Sequence, residues 1–240
     1  MRKKIIIYLL AIILLITGCG KASEKEETKK VDNTEDALKF KEEYEALNGK
    51  ENSGKTIRTV SISKDNPFVY KEAGDIVDMM KKKETFIVYF GFSKCPWCRS
   101  MIETLVKVSK DYQIDTIYYV DVLEIRDILK LDENNEIVTD REGTKDYLAL
   151  IKLLDNVLSD YNLKDKDGNE IATGEKRIYA PNVVSVVKGK PTKLETGISD
   201  QQESAYQELT DEMLEEEYDA LSNIMEEVSE KSVCDSNSKC

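Results

Sequence analysis

The chain of 240 residues contains no histidine. Histidine is the usual general base, the commonest metal ligand and the side chain that titrates near neutral pH. Its absence excludes a Cys–His or Ser–His–Asp active site and every zinc site that depends on imidazole. An enzyme of this composition has to use carboxylate, lysine, tyrosine, serine or cysteine side chains for its chemistry.

A surplus of positive charge is also missing. The sequence has 35 lysines and arginines against 47 aspartates and glutamates, which gives a formal net charge of −12. Nucleic-acid binding depends on a basic face that neutralises phosphate groups, so we predict no nucleic-acid partner. The hydrophobic content of 40% is enough for a packed core, and the length suits one domain with additions.

The longest apolar run stands near the N-terminus. Residues 1–4 are Met-Arg-Lys-Lys, residues 5–16 are apolar, and a Thr-Gly-Cys boundary follows at 17–19. This is the pattern of a secretory signal peptide, which we assign to residues 1–18, and the run is short for a transmembrane helix. The boundary resembles the lipobox of bacterial lipoproteins. That resemblance implies a lipid on Cys19 and a protein held at the extracytoplasmic face of the bacterial cell membrane, with ordinary cleavage by signal peptidase as the alternative.

The rest of the chain divides by composition. Mixed charge with almost no apolar residue predicts a disordered tether after the signal. We assign 19–33 to this lipid-anchored polar tether, 34–56 to an N-terminal helix and linker, 57–200 to the main domain, and 201–240 to a C-terminal helix with a cysteine-containing tail. Apolar residues spaced along an acidic stretch predict that the C-terminal helix is long and amphipathic.

Hydrophobic patterning predicts strands and helices that alternate. Apolar runs and period-two alternation predict strands at residues 57–62, 85–90, 117–122, 182–188 and 191–196. Helical spacing predicts helices at residues 34–47, 73–83, 97–112, 144–161 and 201–231. This order predicts an α/β fold. The less regular segment at 124–179 is interpreted as a helical insertion.

Two cysteines mark the point where a buried strand gives way to a helix. Cys95 and Cys98 are separated by Pro-Trp, so both lie in the first helical turn and can close a small disulfide ring. Free backbone N–H groups and the positive end of the helix dipole stabilise a thiolate there. We predict that Cys95 is the nucleophile and Cys98 the resolving thiol.

Two other interpretations of this pair are weaker. A structural zinc site needs four ligands, and the spacing of the remaining Cys234 and Cys240 is wrong for it. A purely structural disulfide is disfavoured by the strand-to-helix setting. Cys234 and Cys240 themselves have two open interpretations: a terminal disulfide, which is the default in an oxidising compartment, or a second redox pair that exchanges with the first.

These residues resemble the thioredoxin superfamily. Residues 85–101, with Cys-Pro-Trp-Cys, are similar to its central strand, active-site turn and following helix, and 179–190 is similar to its cis-proline loop and last hairpin. Residues 90–99 most resemble firmicute thioredoxin-like lipoproteins, including bacteriocin-transport accessory proteins. The resemblance covers 57–200 and implies a thioredoxin-like fold, a mixed central sheet flanked by helices.

The resemblance also implies roles for individual residues. Pro181 would be the cis-proline that faces the cysteines, and with Ala180 it would present the substrate backbone. Pro96 and Trp97 would border the substrate site, with Trp97 as an apolar platform. Thioredoxin has a buried acid where this chain has Tyr89, so the acid's task of assisting proton removal from the resolving cysteine is unassigned.

The implied function is thiol–disulfide exchange without a cofactor or metal. The partners would be exported proteins with thiols or disulfides, and a membrane redox partner that recycles the cysteine pair. Reduction, oxidation and isomerisation use the same residues and differ in reduction potential, so the direction stays open. The alternatives are a non-enzymatic accessory or binding module of an export or bacteriocin system, and metal delivery through the cysteine pair.

Overall fold

The computed structural model describes residues 34–237, and the side chains of residues 34–229. Within that range the chain is mixed α/β, as predicted. Its helices are α1 (Thr34–Glu45), α2 (Ala73–Lys81), α3 (Pro96–Asp111), α4 (Lys145–Leu154) and α5 (Asp211–Asn237). Its strands are β1 (Glu51–Asn52), β2 (Lys55–Thr56), β3 (Phe68–Tyr70), β4 (Phe86–Gly91), β5 (Ile117–Asp121), β6 (Ile128–Leu131), β7 (Ile137–Arg141), β8 (Ser159–Lys164), β9 (Glu170–Arg177), β10 (Asn182–Val187) and β11 (Lys190–Glu195).

The central sheet has five strands in the order β11-β10-β4-β5-β3. Strands β3 and β4 run parallel to β5, whereas β10 is antiparallel to both of its neighbours, β4 and β11. Every residue of β4 is buried, which is expected of a continuous apolar run covered on both faces. Strand β11 lies at an edge of the sheet, where its Pro191 is tolerated.

Helices cover both faces of this sheet. One apolar cluster joins it to α1, α3 and α5 through residues such as Phe40, Met101 and Leu221. The other joins it to α2 and α4 through residues such as Ile76 and Leu150. All five of these side chains are fully buried. The cysteine-bearing helix α3 therefore packs on the first cluster beside α5, which also contacts the sheet directly.

Helix α1 is part of that cluster. Phe40 stacks on Phe68 with ring centroids 4.0 Å apart, and on Tyr44 with centroids 4.4 Å apart. Such aromatic pairs contribute about 0.5–1.5 kcal/mol beyond the area they bury. The helix predicted within residues 34–56 therefore packs directly against the main sheet.

The strand predicted at residues 57–62 is wrong. Val60 and Ile62 are buried, as the alternation indicates, but the segment forms no ladder. The backbone N–H of Val60 donates to Oδ1 of Asn48 over 3.0 Å, and that of Ile62 donates to Oε1 of Glu45 over 2.8 Å. Side chains thus satisfy the buried backbone groups that a neighbouring strand would otherwise pair. The first strand of the central sheet is β3 instead.

The helical insertion predicted at residues 124–179 is only partly correct. It contains one helix, α4, whose N-cap Thr144 accepts a hydrogen bond from the backbone N–H of Tyr147. The hairpin β6–β7 precedes that helix, and the hairpin β8–β9 follows it. The predicted helix over 144–161 therefore ends early, and its last residues enter β8. Both hairpins expose many of their residues, so they lack the strong apolar periodicity that identifies buried strands.

The long C-terminal helix is confirmed, but α5 begins at Asp211 and not at residue 201. The preceding segment forms turns. Its polar groups bind elsewhere: Nε2 of Gln202 donates to Oγ of Ser100 over 2.7 Å, and the carbonyl of Ala205 accepts from Arg58 over 3.2 Å. These hydrogen bonds to distant parts of the chain take the place of the first turns of the expected helix.

Several predictions fall outside the described residues. These are the signal peptide at 1–18, the tether at 19–33 with Cys19, and Cys240. Residue Cys234 falls within α5, but its side chain lies outside the described part, so the predicted terminal disulfide stays a prediction. Among the helices described, none combines the length and the apolar character needed to cross a bilayer.

Candidate functional site

The cysteine pair stands at the start of α3, directly after the turn that follows β4. Cys95 is the N-cap residue, with an extended backbone conformation, and Pro96 opens the helix. Proline suits this position because the N–H it lacks would have no partner within the helix. The backbone N–H of Cys98 donates to Sγ of Cys95 over 3.2 Å. The predicted placement of the pair is therefore confirmed.

Both cysteines are free thiols and both are buried, Cys98 more deeply than Cys95. Cys95 keeps 4% of its surface exposed, and Cys98 keeps none. An incoming sulfur atom can reach the pair only at Cys95, and Cys98 can react only with its neighbour. Pro96 and Trp97 are half-buried beside them, as the proposed border of a substrate site requires.

The pKa of Cys95 is lowered from its ordinary value. The largest cause is the hydrogen bond with the side chain of Cys98, followed by hydrogen bonds from the backbone of Cys98 and Trp97 and by the positive charge of Arg126. Burial opposes these effects but does not cancel them. The thiolate is the attacking form of a cysteine, and the structure favours that form at the cysteine that starts the helix.

The pKa of Cys98 moves in the opposite direction. Complete burial raises it well above its ordinary value, and the hydrogen bond and charge of Cys95 raise it further. The two thiols share one environment, and their titrations belong to the pair. Of the two thiols, Cys95 is therefore the one that loses its proton more readily.

The loop before β10 faces the cysteines. The peptide bond between Ala180 and Pro181 is cis, as predicted. Sγ of Cys95 donates to the carbonyl oxygen of Ala180 over 3.3 Å, across 85 positions of sequence. Asn182, the next residue, pairs with Phe90 in the sheet, so the central sheet itself brings this loop to the start of α3. Pro181 is buried and Ala180 is half-buried.

Two buried tyrosines adjoin Cys98. Tyr89 and Tyr44 are fully buried, and their hydroxyl oxygens are 2.9 Å apart. Tyr89 and Cys98 belong to the same buried cluster, and interaction with Tyr89 lowers the pKa of the Cys98 thiol against the effect of burial. Tyr44 belongs to α1, outside the region of family resemblance, and sequence reasoning missed it. The only hint was its place on the apolar face of α1 with Ala37 and Phe40.

Two arginines near the site were missed as well. Arg99 is buried and donates to the backbone carbonyls of Tyr44 over 2.9 Å and of Arg58 over 2.8 Å. Arg126 comes from the irregular segment after β5, and its guanidinium lies 5.0 Å from the ring centroid of Phe92. No local pattern marks an arginine that reaches the site from a separate loop.

Neither a search for metal-binding side chains nor a comparison with known proteins identifies a function. Within residues 34–229, no group of three or more cysteine, aspartate or glutamate side chains is placed to hold a metal ion. No protein-family model matches the chain, and no curated protein matches it. The chemistry of the cysteine pair is therefore the main indication of function.

Proposed function

We propose that this protein is a thioredoxin-like thiol–disulfide oxidoreductase. The order of the central sheet supports a thioredoxin-like fold, because three parallel strands are extended at β4 by the antiparallel hairpin β10–β11. So does the arrangement of the site, because the cysteine pair opens the helix after β4 and a cis-proline loop precedes β10. The inserted hairpins and α5 are additions to that plan.

One observation carries the functional proposal. Cys95 has a lowered pKa at the start of a helix, and Cys98 is buried directly behind it. Reactive cysteines are identified by thiolate stabilisation together with partial access, whereas structural cysteines are inert and buried. This pair combines one activated, accessible thiol with one sheltered partner, as dithiol–disulfide exchange requires.

The reaction proceeds by two exchanges. The Cys95 thiolate attacks one sulfur of a substrate disulfide, the substrate S–S bond breaks, and the other sulfur leaves as a thiolate. Cys98 then gives up its proton and attacks Sγ of Cys95, which releases the second substrate thiolate. The substrate gains two electrons, and the pair becomes a disulfide. The reverse sequence oxidises a substrate dithiol.

Substrates and partners follow from the proposed location. Ala180 and Pro181 would present the substrate backbone to the cysteines, and the half-buried Pro96 and Trp97 would border it. The substrates are exported proteins with thiols or disulfides, and a membrane redox partner recycles the pair. The lipid on Cys19 would keep the protein at the extracytoplasmic face of the bacterial membrane. The exchange needs no cofactor.

Insulin reduction and oxidative refolding of a reduced protein test this proposal with the full chain. Wild type is expected to be active in at least one direction, and Cys95→Ser is expected to be inactive in both, because the attacking sulfur is gone. A matched control replaces Cys234 and Cys240 by serine together and is expected to keep its turnover. Equal behaviour of wild type and Cys95→Ser would contradict the proposal.

The small exposed surface of Cys95 favours one alternative. At 4% exposure, the thiol is sheltered enough for a non-enzymatic accessory or binding module of an export or bacteriocin system that retains the fold. Such a module would show no turnover as wild type, and Cys95→Ser would leave its binding unchanged. The same two assays therefore separate the alternatives.

A further inference from the structure

The buried hydroxyl groups behind Cys98 form a connected row. Tyr89 projects from β4 into the buried cluster that also contains Cys98, and interaction with Tyr89 lowers the pKa of the Cys98 thiol against the effect of burial. Its hydroxyl oxygen is 2.9 Å from that of Tyr44 on α1. All three side chains are fully buried. Water therefore cannot take the place of these hydroxyl groups without a change in packing.

The number of available protons fixes which group donates and which accepts each hydrogen bond in this row. A tyrosine hydroxyl has a single proton to donate. When Cys98 is a thiolate it can only accept, so the proton of Tyr89 points to the sulfur. The Tyr89 oxygen is then free to accept, and Tyr44 donates to it. Burial raises the pKa of both tyrosines well above the ordinary value, so both keep the protons that this arrangement needs.

Gly91 leaves the space that the Tyr89 hydroxyl occupies. The two residues share one face of β4, and a β-carbon built on Gly91 would lie 2.2 Å from the Tyr89 hydroxyl oxygen. Any side chain at this position would have to displace the ring of Tyr89. The absence of a side chain at Gly91 therefore allows the tyrosine ring to extend along the strand toward Cys98.

Tyr44 is held in place by the residue that follows Cys98. Nη1 of Arg99 donates to the backbone carbonyl of Tyr44, and the guanidinium lies 5.8 Å from the centroid of its ring. The same side chain also binds the carbonyl of Arg58 and Oδ1 of Asn48. The cysteine helix and α1 are thereby fixed to each other at the backbone of Tyr44.

We propose that Tyr89 donates the hydrogen bond that stabilises the Cys98 thiolate during disulfide exchange, and that Tyr44 is a positioning residue that orients Tyr89. This inference rests on the proposed function. When a substrate thiolate attacks Sγ of Cys95 in the oxidised protein, a new S–S bond forms and the Cys95–Cys98 bond breaks. The electron pair goes to the Cys98 sulfur, which accepts the hydrogen bond from Tyr89, and no proton is transferred.

The reaction of the full chain with glutathione tests the role of Tyr89. The oxidised protein is mixed with reduced glutathione, and acid-quenched samples are analysed for the mixed disulfide on Cys95 and for its resolution by Cys98. A hydrogen bond to a charged group contributes enough that Tyr89→Phe should slow both steps about ten-fold at neutral pH. The slowed resolution should recover as pH rises, because Cys98 then ionises without help. Alkylation of reduced Cys95 by iodoacetamide should change much less.

Tyr119→Phe is the matched control. The Tyr119 ring stacks on Tyr89 with centroids 5.5 Å apart, and its buried hydroxyl has no hydrogen-bond partner among the described residues. This variant should therefore exchange at the wild-type rate. Tyr44→Phe should give a smaller decrease than Tyr89→Phe with the same recovery at high pH, which a general packing defect would not produce.

Equal exchange rates in Tyr89→Phe and Tyr119→Phe would overturn the inference. If wild type itself does not exchange, the proposed function fails, and thiolate absorbance then tests Tyr89 separately. Cys98 is titrated in Cys95→Ser, with Cys95→Ser/Cys98→Ser as the background for the other cysteines. Tyr89→Phe should raise the pKa of Cys98, and an unchanged value overturns the inference. Gly91→Ala, which keeps both hydroxyls but displaces Tyr89, should shift the titration in the same direction.

Discussion

Helix α3 borders two buried acidic groups whose pKa values shift in opposite directions. At its start, Cys95 has a lowered pKa. Against its middle, Glu217 of α5 is fully buried, and burial raises its pKa to about 7. Oε2 of Glu217 accepts a hydrogen bond from Thr104 over 2.9 Å, whereas Oε1 has no partner among the described residues.

The difference comes from what each part of the helix offers to a negative charge. The first turn of a helix has backbone N–H groups without partners, and they point toward its N-terminus. In the middle of the helix all such groups are paired, so Thr104 can offer only one hydroxyl. Two buried positions on one helix thus shift the pKa in opposite directions, downward for the thiol and upward for the carboxyl group.

The largest expected effect at the helix start is the loss of resolution by Cys98. Both Cys98→Ser and Cys98→Ala should lose turnover and accumulate a mixed disulfide on Cys95, because no second thiol completes the exchange. Only Cys98→Ala should also raise the pKa of Cys95, since serine keeps a side-chain donor. Mass spectrometry of the trapped complex and the pH dependence of alkylation measure the two effects. Failure of either variant to accumulate the complex would contradict the assigned order of attack.

Removing the charge of Glu217 should have the next largest effect. The folded protein holds this proton more tightly than an unfolded chain, in which the glutamate has its ordinary pKa of 4.5. Its contribution to stability is therefore greatest below pH 4.5, falls as the pH rises to about 7, and stays low above that. Glutamine stays neutral at every pH, so Glu217→Gln should not lose this stability as the pH rises. Its free energy of unfolding at alkaline pH should exceed that of wild type by about 3 kcal/mol.

Urea unfolding across this pH range measures the effect as the difference between wild type and variant. Glu216→Gln is the matched control on the same turn of α5. The hydrogen bonds of Glu216 with Ser199 and Gln201 lower its pKa, so it contributes stability that is lost as the pH falls. A parallel pH dependence for wild type and Glu217→Gln would show that the buried carboxyl group is not protonated in the folded protein.

The smallest expected effect concerns Arg126. Its charge favours the Cys95 thiolate from the segment after β5, but a charge that is partly exposed is screened by solvent and salt. Arg126→Gln should raise the pKa of Cys95 and slow its alkylation at neutral pH about two-fold, less so in high salt. Lys130→Gln, which breaks the exposed pair with Asp140, is the control. Equal alkylation rates in both variants would show that Arg126 does not promote the ionisation of Cys95.

Local patterns predicted most of the central sheet. Strands β4, β5, β10 and β11 lie within two residues of their predicted bounds, because continuous apolar runs identify strands that are covered on both faces. Residues 57–62 show the limit of this reasoning. Their alternation correctly indicated which residues are buried, but Asn48 and Glu45 accept the backbone hydrogen bonds that a neighbouring strand was expected to accept.

The amino-acid sequence by itself determined the reactive pair, since two cysteines in the first turn of a helix need only local geometry to meet and to stabilise a thiolate. The tertiary structure decided which groups surround that pair. Tyr44 meets Tyr89 across 45 positions of sequence, and Ala180 meets Cys95 across 85. Periodicity specifies which face of an element is buried, whereas the partner on the other side depends on how the whole chain packs.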